Sequence, residues 1–94
     1  LKADYDSQAN ALGIELVEVD RWDDGYEFDD DYCNLGFAGG RLVYIGLLHP
    51  SQNLQLLEAV AESYDLDAGT VLAAAKAALA APDLTVTISD RVAV

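Results

Sequence analysis

The chain has 94 residues, enough for one domain, and 52% of them are hydrophobic, which excludes a disordered polymer and suits a modest core. Seventeen acidic residues against five basic ones give a net charge of −12. That balance excludes a phosphate-gripping surface for DNA or RNA and disfavours anionic membranes, while a basic protein partner would be drawn in by the same field. Solubility alone is the plainer use of such charge.

The single cysteine, Cys33, excludes an internal disulfide framework and points to a reducing, cytoplasmic setting. No stretch reaches the ~20 apolar residues of a membrane span. The opening residues carry no signal-peptide pattern. The lack of methionine points to a lost initiator or a trimmed start.

Residues 2–5 read as a short opening strand, with Ala3 and Tyr5 on one face. Asp6-Ser7-Gln8-Ala9-Asn10 is a polar turn. Leu12, Ile14 and Leu16 then alternate with Gly13, Glu15 and Val17, the period of a half-buried strand. Residues 20–31 break the composition: Asp20, Asp23, Asp24, Glu27, Asp29, Asp30 and Asp31 face one opposing charge, Arg21. Such mutual repulsion predicts an extended, solvated loop, interrupted by Trp22, Tyr26 and Phe28.

Residues 32–38 read as a third strand, with Cys33, Leu35 and Phe37 on one face. Gly39-Gly40 supplies the two positive-φ positions of a tight hairpin turn. The uncharged run from Leu42 to Leu48 is the central strand, covered on both faces, with Gly46 a place where something approaches the backbone. Pro50 ends it, and Ser51 is a candidate helix N-cap.

Leu54, Leu57, Ala61 and Tyr64 recur at helical spacing, widened by Leu56 and Val60. Asp65-Leu66-Asp67 breaks this helix, and Asp67 caps a second that runs to about Ala81, before Pro82. Val71, Leu72, Ala75, Ala78 and Leu79 form its apolar stripe. The opposite side is alanine with one charge, Lys76, which invites burial against another chain. Leu84, Val86 and Ile88 alternate with Thr85, Thr87 and Ser89 in a last strand, which either joins the sheet edge or pairs with another chain.

The fold class expected is α+β in a single domain 1–94: an antiparallel four-stranded β-meander (1–50), an αα-hairpin (51–82) and a C-terminal strand (83–94).

Two stretches, Tyr5-Asp6-Ser7-Gln8-Ala9-Asn10-Ala11-Leu12-Gly13-Ile14 and Gly40-Arg41-Leu42-Val43-Tyr44-Ile45-Gly46-Leu47, bracket the first half of the chain. They resemble a family of small bacterial domains of unknown function, family twenty-two eighty-three. This chain carries Asn10, Tyr44 and Gly46 where that pattern has aspartate, glycine and glutamate. Some members of the family look like antitoxins encoded beside small basic toxins related to messenger-RNA nucleases. The resemblance implies that role here and transfers no catalytic residue.

Asp29, Asp30 and Asp31, with Asp23, Asp24 and Glu27, offer oxygen ligands for Ca²⁺ or Mg²⁺, though without EF-hand spacing. A solvated or partner-facing loop is the expected reading. Cys33 and His49 would serve as nucleophile and base only if adjacent and oriented by a third group; a buried thiol and a strand-end imidazole are the ordinary readings. Gly36, Gly39 and Gly40 lack the lysine and helix start of a phosphate loop. Trp22 either folds back on the sheet or is offered to a partner.

These readings predict a non-catalytic protein–protein interaction module without a cofactor. Its concrete form is an acidic antitoxin-like protein neutralising a small basic toxin. Trp22, Asp23, Asp24, Tyr26, Asp29, Asp30, Ala74, Ala77, Val86 and Ile88 are the candidate contacts. The alternatives are a structural homodimer, in keeping with a homo-oligomeric chain, and a small metal-binding protein using residues 20–31.

Overall fold

A computed structural model describes residues 1–88. Its strands are β1 (Lys2–Asp6), β2 (Ala11–Glu15), β3 (Asp24–Asp29), β4 (Cys33–Ala38), β5 (Arg41–Leu48) and β6 (Thr85–Thr87). A 3-10 turn at Pro50–Gln52 leads into α1 (Leu54–Ser63), and α2 (Ala68–Ala80) follows. The class is α+β, as expected. Among the described residues the sheet has six strands in the order β3-β4-β5-β2-β1-β6, with every neighbouring pair antiparallel.

That order corrects the simple meander. β5 inserts between β2 and β4, so the chain crosses from β2 to the far edge and returns through β3 and β4. The apolar run explains the placement: Ile45 is flanked by Ile14 and Leu35, and Leu47 by Leu12 and Cys33, all buried. A fully buried aliphatic side chain contributes about 1.5–3 kcal/mol, so flanking β5 on both edges with apolar partners favours this pairing.

The second correction lies in residues 20–31, half of which form a strand. β3 tolerates its carboxylates because it is the edge of the sheet, paired among the described residues only with β4 and exposed along most of its length. Register shifts skip Phe28 in β3 and Val43 in β5; the latter bulge accommodates Leu42 and Val43, which are both buried.

The turns follow their residues. Gly39 and Gly40 have φ of 59° and 78°, as the hairpin requires, and Gly39 N–H donates to Asp23 Oδ2 (2.9 Å). Asp6 Oδ1 accepts from the N–H groups of Gln8 and Ala9, closing the β1–β2 turn. Asp67 caps α2 as expected, accepting from Gly69 N–H and from the Thr70 hydroxyl. Asp65 takes a left-handed conformation (φ 60°) after α1, and Leu66 N–H reaches back to the Ala61 carbonyl, satisfying one of the free carbonyls at the helix end.

Ser51 is not a helix cap. It sits inside the 3-10 turn, and α1 starts after Asn53, whose side-chain amide donates to the carbonyls of Leu48 and His49.

The helices cover one face of the sheet. Leu57, Val60 and Ala61 of α1 and Val71, Ala74, Ala75 and Ala78 of α2 are buried with Ala3, Leu12, Ile14, Leu35, Ile45 and Leu47. α2 packs chiefly on β1, with further contact to β2 and β6. Its alanines let it lie close to the strands. β6 joins the sheet edge at β1, pairing Val86 with Ala3, which decides between the two placements left open for the last strand. The part of that expected strand in residues 89–94 lies outside the described residues.

Candidate functional site

The helices sit towards the β1–β6 side, and the β3–β4 end is less covered. Tyr26 of β3 is 57% exposed there. Tyr26 and Phe37, together with Tyr64 at the end of α1, line a cleft of about 340 Å³ with Asp23, Asp24, Gly25 and Gly40. The Phe37 and Tyr64 rings meet at 5.7 Å. A second hollow, about 240 Å³, lies at the other end of β3 between Glu27, Asp30, Asp31, Tyr32, Cys33, Asn34 and Leu48.

Among the described residues no helix packs on the opposite face of the sheet. Register places Gly25 beside Gly36, Gly36 beside Tyr44, and Gly46 between Gly13 and Asn34. Side chains lie flat over this glycine floor. A Cβ on Gly36 would stand 2.5 Å from the Trp22 ring, and one on Gly13 would stand 2.7 Å from the Tyr44 hydroxyl. Trp22 and Tyr44 stack at 4.5 Å between centroids, tilted by 30°. Trp22 is therefore folded back on the sheet, yet remains 42% exposed. Asn34 fills the space over Gly46, the close approach that its glycine signalled. Burial, then the charges of Asp4 and Glu15, raise the pKa of Tyr44 above its ordinary 10.0.

β3 thus separates two aromatic surfaces, Trp22–Tyr44 on one face and Tyr26–Phe37–Tyr64 on the other. Its own Asp24, Glu27 and Asp29 run along the edge. Among the described residues the one ion pair is Lys2–Glu18 at 3.9 Å, away from these carboxylates. Asp29 is committed locally, accepting from the N–H groups of Asp31 and Tyr32, while Asp30 and Asp31 are exposed. Among the described residues no three His, Cys, Asp or Glu side chains converge as metal ligands.

No family model, curated protein or solved structure matches the chain. The residues around β3 therefore carry the functional argument.

The structure brings Trp22, Asp23, Asp24 and Tyr26 to one end of β3, and Asp29 and Asp30 to the other. The remaining candidate contacts lie elsewhere. Ala74 is fully buried within the chain, which removes it from any outer surface, and Ala77 is half-buried. The reason is geometric: the core stripe of α2 is wider than its large residues indicate and takes in Ala74. Val86 and Ile88 are half-buried against the chain's own core, and Ile88 N–H donates to the Leu1 carbonyl.

Cys33 is buried facing the core. Desolvation, then the charges of Asp29 and Glu27, push its thiol up to about 11, opposite to the direction a nucleophilic thiolate needs. His49 is exposed, has a left-handed backbone (φ 47°), and its Nδ1 lies 2.8 Å from the Asn10 side-chain amide nitrogen. Asn10 in turn accepts from the Tyr5 hydroxyl (2.7 Å). These bonds tie the end of β5 to the β1–β2 turn.

Tyr44 and Phe37 were not among the sequence candidates. The signal for Tyr44 was present in the strand-interior glycines Gly13 and Gly46, which leave room for its overlying ring.

Proposed function

We propose that the chain is a non-catalytic protein–protein interaction domain for a small basic partner, in the manner of an antitoxin that covers a basic toxin. The observation that carries this reading is the end of the sheet around β3. There, exposed Trp22 and Tyr26 stand among carboxylates that form no ion pair among the described residues. Aromatic side chains supply contact area and a face for cationic groups, and the net charge of −12 accelerates encounter with a positive protein. The resemblance of the two strand patterns, residues 5–14 and 40–47, to the domain family supports the same reading.

The test is co-expression with the product of the adjacent gene where that product is short and basic. A complex that co-purifies and loosens as salt rises supports the proposal. No association with any basic neighbour removes it.

A second reading, a homodimer, draws on α2. Ala73 and Ala80 are exposed beside Lys76, a face of low polarity. Sedimentation of the isolated chain separates the two: a stable dimer indifferent to basic neighbours favours the second.

A further inference from the structure

We infer that β3 is completed by an extended, basic strand from the partner, which adds a seventh strand to the six described. This rests on the reading of a basic protein partner and names how that partner is held.

Among the described residues β3 is the terminal strand of the sheet and pairs on one side only, with β4. An edge strand presents unpaired backbone N–H and C=O groups, which another extended segment satisfies as a ladder. Side chains of an added strand alternate between the two sheet faces. On one face they meet Trp22, stacked on Tyr44 over Gly36. On the other they meet Tyr26 and the cleft it shares with Phe37 and Tyr64.

The carboxylates decide the occupant. Carboxylates and a bulge are common guards against unwanted edge pairing, and β3 has both, with its register shift between Glu27 and Asp29. A guard of one sign is selective. A second copy of this chain pairing edge to edge would set Asp24, Glu27 and Asp29 near their own counterparts, which like-charge repulsion opposes. A strand bearing arginine or lysine meets opposite charge at the same positions. The guard leaves Tyr26 at 57% and Trp22 at 42% exposure, and contact with such a strand covers both.

The experiment uses the full chain and a synthetic eight-residue peptide that alternates arginine with valine. Two control peptides accompany it. One has glutamate for arginine, and the other keeps every charge but is N-methylated at every peptide bond, so that neither of its edges can donate to a ladder. Backbone amide exchange and chemical shifts are followed by NMR.

The arginine peptide is expected to slow exchange of the outward-facing β3 amides by about tenfold or more and to shift the Trp22 indole, whereas the N-methylated peptide binds about tenfold more weakly. The glutamate peptide does not bind. The doubly substituted chain Asp24→Lys with Glu27→Lys, its fold checked by circular dichroism, loses the effect. Equal binding of the N-methylated peptide, or shifts confined to other surfaces, overturns strand addition. A basic protein that binds the chain while β3 exchange is unchanged overturns strand addition alone. Failure of every basic ligand overturns the partner reading as well.

Discussion

At the scale of single residues, the most consequential contacts are those made possible by the absence of a side chain. Gly36 sits under Trp22, and a methyl group there would stand 2.5 Å from the indole. Gly36→Ala should displace the ring and cost about 1–3 kcal/mol, as overpacking does. Trp22 is the only tryptophan, so the change is read directly as a red shift of its emission together with a lower melting temperature. Unchanged emission would mean the ring does not rest on Gly36.

Cys33 gives a second residue-scale test, through linkage. Burial raises its pKa in the folded chain to about 11 from an ordinary 9.0. Between those values the unfolded chain has lost the proton while the folded chain keeps it, so stability falls as pH rises through that window. Tyr44, also raised, acts in the same direction. Denaturant midpoints measured from pH 8 to pH 11 should decline in the native chain and decline less in Cys33→Ala. An alkylating reagent should label Cys33 at neutral pH only as fast as the chain opens.

At the scale of elements, β6 is a short strand held by a polar latch. Asp83, at φ 64°, accepts from the Ser7 hydroxyl (2.6 Å) and the Ser7 N–H (2.9 Å), joining the α2–β6 link to the β1–β2 turn. These two bonds, the hydroxyl first, lower its pKa below the ordinary 3.8. The latch is therefore fully present above that value and is lost as pH falls through the lowered one. Ser7→Ala should speed amide exchange in β6 while leaving β5 unchanged, and should flatten the acid dependence of β6 exchange below pH 3.8. Equal exchange in both chains would show that the Ser7 hydroxyl bond to Asp83 does not hold the strand.

Elements also show what the residues announced in advance. β5, the Gly39-Gly40 turn and the Asp67 cap were legible because each depends on a few neighbouring residues of distinctive chemistry. β3 was not, because an edge strand exposed on both faces needs no apolar alternation, and the charges of Asp24, Glu27 and Asp29 resemble those of a loop. The insertion of β5 beside β2 was also hidden. It depends on matching Ile45 to Ile14 and Leu47 to Leu12 across more than thirty positions of chain, which no local pattern encodes. For the candidate site, Trp22 and Tyr26 could be named from their acidic surroundings. Their separation onto opposite faces of one strand required the register.

At the scale of the whole molecule, charge and coverage are unevenly arranged. The helices bury the face over β1 and β2 with small and aliphatic residues, and the carboxylate-rich β3 end remains open with its aromatic flanks. No helix among the described residues is long and apolar enough to cross a membrane. A body with this much uncompensated negative charge repels its own kind and attracts positive proteins, and both effects weaken within the ~10 Å screening length of 0.1 M salt. The central claim is that the chain works by holding a basic protein. Native mass spectrometry of the assembly drawn from its own cells, sprayed after incubation at low and at high salt, tests it most directly. The account predicts this 10.1 kDa chain bound to a basic polypeptide at low salt and released from it at about 0.5 M. The chain found alone at every salt concentration would contradict it.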